Sequence, residues 1–203
     1  MSLLIGHGSV GIAVWACLDK DYHPLRDHDK TAAAIALSLV PDLDYLLHWP
    51  LGFDLDATHR TVTHSLLFAV AMGVALSRWG RLCRISRRGL AAVLFSAVIF
   101  FHALTDLATT SNEFPAIPGV PLWWPLSQDP IVLPYSPLPR LYVHPPNNTL
   151  VGIAVMDFLH LCFEETWREA VGFGPILALL LLWRHRLLES RLAVAATATP
   201  DRT

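Results

Sequence analysis

The chain of 203 residues is 53% hydrophobic and only 16% charged, with a mean hydropathy of +0.43. Soluble domains carry about 25% charged residues, so the composition argues against an ordinary water-exposed surface and makes the bilayer the expected solvent. A net charge of −2 offers no basic field, which excludes nucleic acid as the expected partner.

In chain order, the first apolar segment covers residues 3–18 and is broken only by small residues and His7. It is short for a span, which needs about 17–25 residues. Its start lacks the basic residues of a secretory signal, so no cleaved peptide is expected. A polar linker runs from Asp19 to Lys30, and Thr31 to Val40 is apolar again. Pro41-Asp42-Leu43-Asp44 then kinks or restarts the helix. Residues 45–63 form an aromatic and acidic connection.

The stretch from His59 to Asp106 reads as a helical hairpin. Thr63 is a plausible N-cap for a helix from about His64 to Trp79. Arg78, Arg81, Arg84, Arg87 and Arg88 crowd the turn, and Leu90 to Ala108 makes the return helix. A long proline-rich loop, Thr109 to Thr149, carries the tandem Trp123-Trp124 and suits a lid or a membrane interface. Leu150 to Ala170 is a mixed helix broken by Gly172-Phe173-Gly174-Pro175, and Ile176 to Trp183 is the last apolar run. Cys17, Cys83 and Cys162 lack paired spacing and are expected as small buried hydrophobes. Residues 1–195 thus read as one all-α, polytopic membrane bundle, and residues 196–203 as a disordered tail.

His7, Asp42, Asp44, His59, His64, His102 and Asp106 are the candidate metal ligands. Each alone has an ordinary reading as a cap, a turn residue or a solvated carboxylate. Together they are costly in an apolar setting unless paired or metal-bound. His102 and Asp106, four apart, share one helix face. Seven nitrogen and oxygen donors exceed one tetrahedral zinc, so two ions sharing a carboxylate are expected, with zinc favoured and manganese or iron open. Asp42 or Asp106 would bridge, and Arg60 could clamp a phosphate or pair with Asp54 or Asp56. His160 and Glu164 stand at i, i+4 and could add a second site, or simply face water. His23, His28, His48, His144 and His185 fall outside the pattern and read as surface or interface residues.

Cytoplasmic loops carry excess Lys and Arg. Placing the five-arginine turn inside puts the hairpin's open end outside. Walking the helices in both directions then puts every candidate ligand on that outer side and Arg184 and Arg186 inside.

Pro41-Asp42-Leu43-Asp44, His59-Arg60-Thr61-Val62-Thr63-His64-Ser65, His102-Ala103-Leu104-Thr105-Asp106 and Pro121-Leu122-Trp123-Trp124-Pro125-Leu126-Ser127 occur in that order. The chain resembles, over roughly residues 3–130, the YdjM-like family of inner-membrane metal-dependent hydrolases, and more distantly the all-helical zinc-dependent phospholipase C proteins. The resemblance implies a multi-helix inner-membrane protein, a metal site built from those His and Asp, and hydrolase activity. His7 matches the family's early histidine. The expected function is hydrolysis of a phosphoester or phospholipid-type ester by a metal-activated water at the periplasmic face, with membrane lipids as partners and Asp42, Asp106 and Arg60 as catalytic residues. A metal carrier, a structural metalloprotein and a water-soluble phospholipase-like bundle are the competing expectations.

Overall fold

A computed structural model describes residues 4–44, 60–110, 119–135, 167 and 171–190. Helix α1 spans Leu4–Leu18 and α2 spans His28–Ser38, followed by a 3₁₀ turn at Pro41–Leu43. A second 3₁₀ turn, Val62–His64, leads into α3, Leu66–Leu76, which tightens into 3₁₀ geometry over Ser77–Cys83. Helix α4 spans Arg88–Ala108 and α5 spans Val171–Ser190. The described residues contain no strand, only an isolated bridge between Val120 and Ile131. The architecture is all-helical, as the apolar runs predict.

Three local expectations are corrected. Thr63 is not the N-cap of the hairpin's first helix: Ser65 is, its Oγ accepting the Phe68 amide at 3.1 Å. Val62–His64 forms a separate tight turn first, which frees Thr63 for other work. Gly172-Phe173-Gly174-Pro175 does not break the chain, because α5 runs through it. In an apolar solvent, backbone groups must be satisfied within the helix, which outweighs the low helix propensity of glycine. Cys17 is exposed rather than buried, whereas Cys83 is buried. Apart from Trp167, which is helical, the expected helix from Leu150 to Ala170 lies outside the described residues, as do Cys162, most of the proline-rich loop and the tail.

Among the described residues, Leu66–Cys83, Arg88–Ala108 and Val171–Ser190 are long and apolar enough to cross a membrane, and Ile5–Leu18 is a shorter apolar helix. The hairpin of α3 and α4 closes at Gly73, where a β-carbon would overlap the backbone of Ser96. Trp15, Leu94, Phe95, Val98 and Ile99 fill the space where α1 meets this hairpin. On α5, Val171, Ile176, Leu179, Leu182 and Trp183 are exposed. A helix bearing large apolar groups around most of its surface fits lipid rather than water. Its other side packs Leu177 and Leu181 against the core.

The basic end of the bundle is tied together by charge. Arg84 ends the 3₁₀ segment in a left-handed conformation and pairs with Asp27 (3.0 Å) and Asp29 at the start of α2. Arg184 of α5 is buried and donates to the carbonyls of Asp19 (2.7 Å) and Tyr22 (3.2 Å), just beyond the C-terminus of α1, where a cation is favoured. Next to it, the His23 and His185 rings meet at 3.2 Å. Lys30 pairs with Asp19 at 2.7 Å. Burial alone would raise the Asp19 carboxyl, but Lys30 and the Trp15 indole outweigh it and hold it below the usual carboxylate range. A lowered folded-state value means stability that is present above the unfolded value, near 4, and lost as pH falls through the folded one. Lys30→Met is therefore expected to lower the melting temperature at pH 7 by a few degrees, for a pair worth on the order of 1 kcal/mol. The two melting curves should draw together once pH falls below the lowered folded-state value of Asp19 and its carboxylate is neutralised; a difference that persists there would mean that Lys30 acts through packing.

Candidate metal centre

At the opposite end, four side chains from three chain segments meet. The Pro41–Leu43 turn carries Asp42, the Val62–His64 turn carries His64, and α4 carries His102 and Asp106 on one face. Each offers one ligand atom, and those atoms all lie within 4.8 Å of one another. His64 Nε2 is 3.2 Å from both His102 Nε2 and Asp106 Oδ2. Asp42 Oδ1 is 3.4 Å from His102 Nε2 and 3.8 Å from His64 Nε2. His64 and His102 are fully buried, and Asp106 is 1% exposed.

The outer nitrogens of the rings decide what this cluster can hold. His102 Nδ1 faces the Ser38 carbonyl, which can only accept, so Nδ1 carries the proton. His64 Nδ1 lies 3.0 Å from the Thr63 hydroxyl, whose own proton goes to Asp44 at 2.8 Å. With Nδ1 protonated in both neutral rings, both Nε2 atoms are bare lone pairs. Two such lone pairs at 3.2 Å, between two carboxylates, repel unless a proton or a metal ion sits among them. Both oxygens of Asp106 are buried, and their close contacts among the described residues are ionic ones, to His7, Arg60 and His64 at 3.1–3.4 Å, rather than well-aligned hydrogen bonds. Four donors around a tetrahedral zinc stand about 3.3 Å apart, from bond lengths of about 2.0–2.1 Å. The separations run from 3.2 Å up to at most 4.8 Å across the set, at and somewhat above that scale. A divalent ion fits the donor set, and the absence of thiolate among the four suits zinc, manganese or iron alike.

The remaining expected residues divide. His7, near the start of α1, reaches the cluster: its ring stacks on His102 at 3.7 Å, and its Nε2 lies 3.4 Å from Asp106 Oδ1. Arg60 is 4% exposed and places Nε 3.1 Å from Asp106 Oδ2. It has a φ of 59°, a left-handed backbone that is uncommon for a non-glycine residue and concentrates at functional sites. Asp44 is buried nearby, but its carboxylate is directed to Thr63 rather than into the four-donor set. His59, Asp54, Asp56, His48, His144, His160 and Glu164 lie outside the described residues. The role of Thr63 was not legible beyond a cap, and the Ser38 carbonyl carries no sequence signal at all. The 119–135 segment closes the same end: Leu122 accepts the Leu66 amide at 3.0 Å, and Val120 and Leu122 pack on Ala103 and Leu107 of α4.

A family model described as YdjM inner membrane protein matches residues 1–191. No curated protein and no solved structure matches the chain.

Proposed function

The chain belongs to the YdjM inner membrane protein family, and on that premise we propose that it is a metal-dependent hydrolase acting on a phosphoester, with phospholipid head groups as the preferred class. The observation that carries this reading is the convergence of Asp42, His64, His102 and Asp106 beside the buried guanidinium of Arg60. A bound divalent ion would supply Lewis acidity and a water of lowered pKa. Asp42, His64, His102 and Asp106 would hold it. Arg60, always cationic and already fixed against Asp106, is placed to receive the negative charge of a phosphate. Asp106 turns Oδ2 to His64 and Oδ1 to His7, so His7 would stand beside the donor set and could add a further nitrogen to it.

Depth supports the substrate class. His64 lies two residues before the span that begins at Leu66, and Asp106 lies in the last turn of α4, which supports a cluster at head-group depth. Exposed Trp123 on the adjoining segment suits an interface. The arginines at the other end favour a cytoplasmic location for that end and therefore a periplasmic site.

The test is elemental analysis of detergent-purified protein, followed by assay on phosphodiester and phospholipid substrates. One or two zinc, manganese or iron ions per chain and chelator-sensitive turnover are expected; protein holding no metal above trace overturns the reading. The burial of three of the four donors favours a second reading, in which the ion only pins the helices. In that case chelation would lower the melting temperature, yet no ester would be cleaved in the metal-replete state.

A further inference from the structure

The two imidazoles of the cluster are held in the same tautomer by different means. For His102 the acceptor is a main-chain carbonyl, Ser38 O, which no side-chain substitution removes. For His64 it is a side chain. Thr63 stands in the tight turn Val62–His64, and that turn brings its hydroxyl against Asp44, next to the separate Pro41–Leu43 turn. The hydroxyl has one proton and gives it to the Asp44 carboxylate at 2.8 Å. It can therefore meet His64 Nδ1, 3.0 Å away, only as an acceptor. The ring then carries a proton on Nδ1, and in its neutral form it leaves Nε2 bare, 3.2 Å from His102 Nε2 and Asp106 Oδ2.

We propose that Asp44 and Thr63 are positioning residues that lock the tautomer and orientation of His64, so that Asp44 serves the metal through two hydrogen bonds and not as a ligand. This rests on the metal-binding reading of the four-donor set. Without the Asp44 carboxylate, the Thr63 hydroxyl is free to turn and donate to Nδ1, which places the imidazole proton on Nε2, where it blocks the ion. Without the hydroxyl, Nδ1 loses the acceptor that meets it at 3.0 Å, and with it this hold on the ring's orientation. Such outer partners typically carry 10–100-fold in metal affinity.

The experiment uses full-length protein in detergent with Co²⁺ as the probe, read by its visible absorption and by competition with a chelating dye. Thr63→Val keeps the shape and removes the hydroxyl, and it is expected to weaken Co²⁺ binding about 10–100-fold. Thr63→Ser restores the hydroxyl and should bind within about threefold of wild type, since the hydrogen bonds remain. Asp44→Ala should weaken binding by a similar factor. The double variant Thr63→Val/Asp44→Ala should be no weaker than the worse single one, because residues in one chain of hydrogen bonds do not add. Wild-type affinity in Thr63→Val, equal weakness in Thr63→Ser, or fully additive losses would each overturn the proposal. If Thr63→Val cannot be purified folded, Asp44→Ala measured against Thr63→Ser decides, and equal affinities there overturn it. Wild-type protein that takes up no Co²⁺ would instead remove the metal reading itself.

Discussion

Replacing His102 with alanine is expected to abolish stoichiometric metal binding, with affinity falling well beyond the roughly 10–100-fold typical of outer partners. His102 is fully buried, and its Nε2 faces both His64 and Asp42 while its Nδ1 faces Ser38. The substitution thus removes a donor at the centre of the set and leaves the Ser38 carbonyl without this partner. The same variant reports on stability. A ligand present at about 100 times its Kd stabilises the folded state by about 2.7 kcal/mol, or roughly 5–11 °C in a chain of this size. Chelation should lower the wild-type melting temperature by about that amount and leave the already destabilised His102→Ala variant unmoved. His7→Ala is the control: His7 stacks on His102 and contacts Asp106 but stands outside the four-donor set. It should keep one ion with affinity reduced on the order of tenfold. A chelator response that survives in His102→Ala would show that the ion sits elsewhere.

Gly73→Val is expected to be the most damaging change made without touching the metal centre. A β-carbon at Gly73 would overlap Ser96, and the nearest atoms include the Ser96 amide nitrogen and Cα. Backbone cannot rotate away as a side-chain tip can, so α3 and α4 would have to separate. Overpacking a tight contact costs roughly 1–3 kcal/mol, occasionally more. The hairpin also sets the site, because His64 enters at the foot of α3 while His102 and Asp106 lie near the end of α4. A splayed hairpin should therefore lose metal affinity together with thermal stability, whereas His102→Ala mainly loses the metal. Size-exclusion behaviour and Co²⁺ titration of Gly73→Val check both consequences. Gly73→Ser, smaller but still carrying a β-carbon, should be intermediate. Wild-type behaviour in Gly73→Val would mean that the two helices do not approach this closely in the membrane.

Much of this architecture is written in local pattern. Apolar runs bounded by Asp19, Pro41 and the arginine turn are enough to place α1, α2, α3 and α4, because burial of apolar surface and helix termination are decided within a few residues. The i, i+4 spacing of His102 and Asp106 puts them on one face in any α-helix. The order of ligand types and the position of the arginines at the far end of the hairpin were equally legible. Other features were not. Ser65 rather than Thr63 caps α3, since either hydroxyl could have done so on local grounds. The glycines and Pro175 are accommodated within α5, because the environment of the helix and not its composition set the balance.

What the amino-acid order determined by itself is therefore the set of helices, the inventory of candidate donors and the end of the bundle on which they gather. The tertiary structure decided which of these donors meet: Asp42, His64, His102 and Asp106 converge, His7 and Arg60 lie against Asp106, and Thr63 donates to Asp44. The reason is that periodicity specifies which face of a helix a side chain occupies. Which neighbour it meets there depends on how closely the helices pack and where a turn from a distant part of the chain comes to rest.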